Sequence, residues 1–236
     1  MKRVREVLVL QHVPWEKPGL ITAALAPISP IVRNVVSERE PELLAPAELA
    51  GLVVMGGPQG ALDDERWPGL AAERSLLTRA VEAGVPVLGV CLGMQLLAVA
   101  LGAALHSSHG TEIGYGPVRR HGRDAVLDPL GEDPTVLHWH SDAVELPVGA
   151  NLLASSAKTP VQAFRAGSAL GLQFHIEVDA PLLAAWLGDA RMIDTVPAEA
   201  LGRMRDDEDA AVRLEPAARA ALGVFAGAVR DRRGET

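Results

Sequence analysis

Pro86-Val87-Leu88-Gly89-Val90-Cys91-Leu92-Gly93-Met94-Gln95 is the stretch whose reading decides the fold. Val85 to Val90 is a short, continuous apolar run rich in β-branched residues, as expected of a strand buried on both faces. Leu92 to Leu101 has helical spacing with Gly102 as its stop, and only a tight turn fits between the two. A strand that passes directly into a helix through Gly-Val-Cys-Leu-Gly predicts a strained elbow with cysteine at its apex. Gly89 and Gly93 flank the apex because residues without Cβ let strand and helix approach closely. A cysteine gains reactivity there: the free N–H groups and partial positive charge of a helix start favour thiolate over thiol. The Leu92 N–H also points to where an oxyanion would form. The competing reading of Cys91 is a small core hydrophobe, the usual fate of a free cysteine. The strand–turn–helix frame favours the nucleophile.

On either side of the elbow, buried strands alternate with helical patterns. Val4 to Val13 reads as a first strand, Pro18 to Leu25 as a helix start, and Leu52 to Met55 as a strand ending in Gly56-Gly57-Pro58. Leu70 to Ala83 has helical spacing up to Gly84. This alternation predicts an α/β fold with an open, mostly parallel sheet and helices on both faces. From His106 to Glu177 the pattern changes to short strands and turns: Ala125-Leu127, Val136-Trp139, Leu152-Ser155, Val161-Arg165 and Ala169-Phe174. These are expected to form a small antiparallel extension of the sheet. Ala180 to Leu187, Ala198 to Met204 and Pro216 to Val229 return to helical spacing, with Pro216 suiting a first turn. Asp206-Asp207-Glu208-Asp209 reads as a solvated turn or helix start. No repeat or linker divides the chain, so residues 1–236 are expected to form a single domain.

Composition narrows the classes. With 236 residues, 48% of them hydrophobic, the chain can bury one sizeable core. A net charge of -8 without a basic stripe argues against nucleic-acid binding. Cys91 is the only cysteine, so no intramolecular disulfide can form, which suits a reducing cytosol and a cytoplasmic location. The longest apolar run, Leu96 to Leu105, falls well short of the roughly 20 residues of a membrane span. No signal peptide is read at the N-terminus.

A cysteine nucleophile needs a base, and the base needs an orienting acceptor. Gly171-Leu172-Gln173-Phe174-His175-Ile176-Glu177 offers both: in extended chain, residues two apart share a side, so Glu177 can hold the His175 imidazole. Taken alone, the pair could equally be an exposed His/Glu couple at a strand end. Met55-Gly56-Gly57-Pro58 lets backbone N–H groups approach a ligand and could supply a second oxyanion donor, although Gly-Gly-Pro is also an ordinary turn. In His138-Trp139-His140-Ser141-Asp142 two histidines face one way. A third ligand with suitable local spacing is missing, so a substrate-shaping strand and turn is preferred to a metal site. No metal and no cofactor are expected.

In this order, Met55 to Pro58, Gly89 to Gln95, Glu112-Ile113-Gly114-Tyr115-Gly116-Pro117-Val118, His138 to Asp142 and Leu172 to Glu177 resemble the class I, or triad, glutamine amidotransferase family. The likeness runs from the first strand to Glu177, and is greatest to stand-alone members labelled as the glutaminase domain of GMP synthase. It implies the flavodoxin-like class I glutamine amidotransferase fold. It implies Cys91 as nucleophile, His175 as base and Glu177 as its orienter. It also implies an oxyanion hole from Gly57 and Leu92, glutamine held by Gln95 and by the backbone around Ser141 and Asp142, and a structural role for Glu112 and Gly114. The family usually has proline between the histidine and the glutamate; here Ile176 stands there, and its β-branch also favours extended backbone. No synthetase domain and no P-loop is read, so any acceptor of ammonia is expected on a separate synthetase subunit. Three rivals remain: a stand-alone γ-glutamyl hydrolase or peptidase, an idle regulatory or binding subunit, and a cysteine chaperone or protease with a similar elbow. The last lacks a His-x-Glu pair at this place.

Overall fold

The computed structural model describes residues 4–194, 196–207 and 209–234. Its strands are β1 (Glu6–Leu10), β2 (Ile31–Arg33), β3 (Leu49–Val54), β4 (Val87–Val90), β5 (Leu105–His106), β6 (Glu112–Pro117), β7 (Arg119–Arg120), β8 (Thr135–His140), β9 (Ala143–Val144), β10 (Asn151–Ser155), β11 (Ala163–Ala166) and β12 (Ala169–Leu172). Its α-helices are α1 (Gly19–Leu25), α2 (Gly69–Glu82), α3 (Leu92–Ala100), α4 (Ala180–Gly188), α5 (Ala190–Ile193), α6 (Ala198–Asp206) and α7 (Ala210–Arg233).

The main sheet has eight strands in the order β2-β1-β3-β4-β12-β11-β10-β7. From β2 to β12 the pairings are parallel; β11, β10 and β7 then continue antiparallel. Side chains alternate across the pleat, so each strand feeds two cores. Val7 and Val9 of β1 pack with Leu20 and Leu25 of α1 and with Leu222 and Phe225 of α7. Leu8 and Leu10 pack on the other face with Leu76 and Leu77 of α2 and with Leu96 and Leu97 of α3. All six residues of β3 are buried, which explains why its sequence is an unbroken apolar run. This is the mostly parallel, helix-flanked α/β architecture with an antiparallel extension that the sequence predicts.

Several local expectations need correction. Val136 to Trp139 does not join the main sheet: β8 pairs antiparallel with β6 in a separate two-stranded sheet, and β5 pairs with β9 in another. A third core lies beside β8, where Leu137, Leu183, Trp186 and Met204 meet. Ala125 to Leu127 is a turn rather than a strand. Asp124 Oδ1 accepts the N–H groups of Val126 (3.0 Å) and Leu127 (3.3 Å), and this local bonding diverts the backbone from a ladder. Pro216 lies inside α7, not in its first turn. A proline there frees the carbonyl four residues earlier, that of Val212, a residue 52% exposed where water can serve it. In the acidic run, Asp206 closes α6 and Asp209 precedes α7, while Glu208 lies outside the described residues. No described helix is long and apolar enough to cross a membrane.

Candidate active site

The elbow is strained at the predicted residue. Cys91 has φ 52° and ψ -109°, a left-handed backbone that a side chain rarely adopts. A Cβ on Gly93 would lie 1.9 Å from Val54 O, and one on Gly89 would lie 2.6 Å from Gly93 O. Both glycines are therefore demanded by the close passage of α3 over β3 and β4. Cys91 N–H donates to Leu172 O of β12 (2.8 Å), and Gly93 N–H donates to Met55 O (3.0 Å). The apex is thus tied to both neighbouring strands. Leu92 opens α3, so its N–H has no acceptor within the helix.

His175 comes from the chain that leaves β12, next to β4 in the sheet. Its N–H donates to Leu137 O of β8 (2.8 Å). Its Nδ1–H donates to Glu177 Oε1 (2.7 Å), so the two side chains lie side by side as the spacing suggests. Glu177 Oε2 accepts the Ile176 N–H at 3.1 Å. Proline has no N–H, so the residue that departs from the family pattern gives the carboxylate a second anchor. Glu177 is held from behind as well: its carbonyl accepts the Leu20 N–H (2.9 Å) where α1 begins. Gly19, at φ +47°, allows that approach, since a Cβ there would lie 2.2 Å from Glu177 O. Burial works against a charged His175, but the Glu177 carboxylate and the neighbouring Cys91 thiol outweigh it and raise its pKa well above 6.5. Trp186 of α4, 1% exposed, meets the imidazole edge-on at 5.3 Å and Trp139 at 5.5 Å.

A cavity of about 370 Å³ opens over the thiol. Gly57, Gln95, Ser141 and Asp142 line it together with Cys91 and His175, so these predicted residues are brought together. Leu92 and Glu177 do not line it. Leu92 lies under the Gly57 turn, where its Cδ2 is 3.1 Å from a Cβ built on Gly57, and Glu177 sits behind His175. Gln95 Nε2 donates to Gln173 Oε1 (3.3 Å). Asp142 Oδ1 already accepts the Ser108 N–H (2.8 Å), which ties its carboxylate down, and Asp142 O accepts the His140 Nδ1–H (3.2 Å). Cys91 Sγ contacts Trp139 O at 3.7 Å.

Trp15, Glu16, Trp186 and Arg191 also line the cavity and escape the sequence reading. Trp15 and Glu16 follow β1, and the ends of parallel strands are where such sheets bind ligands; that was the available signal. Arg191 stacks over Trp15 at 3.9 Å. Burial pushes the Glu16 carboxyl up to about 7, against the pull of His175 and His12.

The third ligand missing from the His138/His140 pattern is Glu112, brought opposite His140 by the β6–β8 register. One donor atom from each of Glu112, His138 and His140 lies within 4.8 Å of the others, a grouping able to hold a metal ion. The donors of Glu112 and His140 are already engaged, whereas the His138 ring nitrogens have no hydrogen-bond partner among the described residues. Glu112 Oε2 accepts from Ser156 Oγ and Gln162 Nε2, both at 2.7 Å, and Gln162 Nε2 also donates to His140 Nε2 (3.2 Å). Burial opposes ionisation of Glu112, but the bonds from His140 and Ser156 prevail and hold its pKa at about 2. Burial also lowers His138, to about 4.

The family model "Glutamine amidotransferase class-I" matches residues 27–182. A GMP synthase [glutamine-hydrolyzing] from Thiobacillus denitrificans is 37% identical over 158 residues, covering 61% of this chain and 28% of that protein. The corresponding protein of Leifsonia xyli subsp. xyli is also 37% identical over 158 residues, covering 61% and 30%. The chain thus spans less than a third of the length of these relatives. Among solved structures, a glutamine amidotransferase from Thermotoga maritima superposes with a TM-score of 0.79 at 28% identity, over 94% of this chain and 98% of that one. A glutamine amido transferase from Methylobacillus flagellatus gives 0.81 at 27% identity, over 95% of each.

Proposed function

Because this chain belongs to the class I glutamine amidotransferase family, we propose that it hydrolyses the side-chain amide of glutamine through a Cys91 γ-glutamyl thioester and passes the ammonia to a separate synthetase. The observation that carries this reading is the meeting of a strained Cys91 with a Glu177-oriented His175 at one cavity. In the first step the Cys91 thiol passes its proton to His175, and the resulting thiolate attacks the amide carbon. The oxyanion is received by the N–H groups of Gly57 and Leu92. His175 protonates the departing nitrogen, and the C–N bond breaks. Water, deprotonated by His175, then attacks the thioester and releases glutamate and the free thiol. Gln95 and the backbone at Ser141 and Asp142 hold the amino-acid end. The synthetase partner finds support in the relatives, which are glutamine-hydrolysing GMP synthases.

The same steps on a γ-glutamyl amine or peptide are favoured by one observation. Trp15, Trp139 and Trp186 line the cavity, an apolar surface that an ammonia leaving group does not need. Ammonia and amine release are to be measured in parallel on glutamine, γ-glutamyl amines and γ-glutamyl peptides. Cys91→Ala is expected to abolish turnover of each while circular dichroism stays unchanged. Substantial residual turnover in that variant removes the thioester. A γ-glutamyl amine or peptide that exceeds glutamine by orders of magnitude in kcat/KM replaces the amidotransferase reading with the hydrolase one.

A further inference from the structure

Glu16 is a carboxylate the fold itself does not use. The residue is 8% exposed, and among the described residues no hydrogen bond or ion pair ends on it. It lines the cavity over the thiol, and carboxylates placed in this way cluster where a ligand completes them. Neither neighbouring imidazole bonds it. His12 spends Nδ1 on Gly56 O and Nε2 on Glu73 Oε2, both at 2.9 Å. His175 spends Nδ1 on Glu177, and its Nε2 has no hydrogen-bond partner among the described residues.

Gly56 shows where the carboxylate lies. A Cβ built on that glycine would be 2.7 Å from Glu16 Oε2, 3.4 Å from His175 Cε1 and 3.6 Å from Cys91 Cβ. Carboxylate, imidazole and nucleophile therefore close on one point of backbone, and all three residues line the one cavity.

We propose that Glu16 forms a leaving-group subsite, accepting an N–H of the scissile nitrogen and thereby selecting γ-glutamyl amides over γ-glutamyl esters. This rests on the thioester chemistry proposed above. The primary amide of glutamine, or the secondary amide of a γ-glutamyl amine, brings an N–H to the carboxylate. As the S–C bond forms and the C–N bond breaks, His175 supplies the proton that completes ammonia or the free amine. The nitrogen keeps an N–H for Glu16 throughout. An ester oxygen brings no hydrogen and sets lone pairs against the carboxylate. A carboxyl titrating near 7 accepts an N–H in either protonation state, through its carbonyl when neutral.

The test compares kcat/KM, which reports acylation, for glutamine and for glutamate γ-methyl ester. Both substrates form the same thioester. In Glu16→Met, which keeps the bulk and removes the acceptor, the amide-to-ester ratio is expected to fall on the order of tenfold or more. Glu16→Gln keeps a carbonyl acceptor and is expected to restore most of the ratio. A ratio held at the wild-type value in Glu16→Met, whether both rates fall together or neither changes, overturns the subsite. If the wild-type protein turns over neither substrate, the thioester reading itself fails and the subsite falls with it. The two failures are thus told apart by the wild-type rates.

Discussion

Glu177 grips His175 with one oxygen and is gripped by the Ile176 N–H through the other. Replacing Glu177 by Gln keeps the shape, but the imidazole loses its charged acceptor. Steady-state kinetics is expected to give a loss in kcat of about 10⁴-fold for Glu177→Gln and a larger one, about 10⁶-fold, for His175→Ala. Equal and negligible effects would mean that the wrong pair is at work. Glu112 makes a different prediction. Its pKa is held at about 2, below the usual 4.5, so its ionised form stabilises the fold above pH 4.5 and that stabilisation fades as pH falls toward 2. Melting temperatures of wild type and Glu112→Gln should accordingly differ at pH 7 and converge toward pH 2. A gap that widens on acidification would contradict the assignment. Cys91, His175 and Glu177 were legible in sequence because each sits in a local pattern of a few residues. Glu16 was not, because its meaning depends on a loop after β1 returning beside a glycine forty residues onward.

At the level of elements, glycines separate two kinds of helix. In α3, Gly93 passes Val54 O so closely that a methyl group cannot enter without moving β3. Gly93→Ala is expected to cost about 3 kcal/mol or more in urea unfolding. Gly202 in α6 has nothing within 4 Å of its missing Cβ, and Gly202→Ala is expected to stabilise by about 0.5–1 kcal/mol. If Gly93→Ala proved as harmless as Gly202→Ala, the strand–helix approach at the elbow would not be obligatory. The buried strands and α2 could be read from periodicity because both faces of the strands and one stripe of α2 are apolar, while α3, buried almost all round, was marked by its place between the elbow and Gly102. Ala125 to Leu127 misled because an apolar triplet says nothing about the Asp124 side chain that turns it. Pro216 misled because a helix can carry proline where the freed carbonyl meets water.

Across the whole molecule, the alternation of strand and helix was enough to foresee a parallel sheet with two helical faces. The separate β6–β8 sheet was not foreseeable, since strand pairing is a long-range choice that alternating residues leave open. The tie from Cys91 N–H to Leu172 O has a consequence in time. That bond lies where β4 and β12 run parallel at the centre of the sheet, with both strands fully buried. In deuterated buffer the Cys91 amide is expected to exchange only when the entire fold opens, while the amide of exposed Ser141 exchanges early. The rim of the cavity can then breathe many times for each opening of the elbow, so substrate can come and go past a thiol whose surroundings keep still.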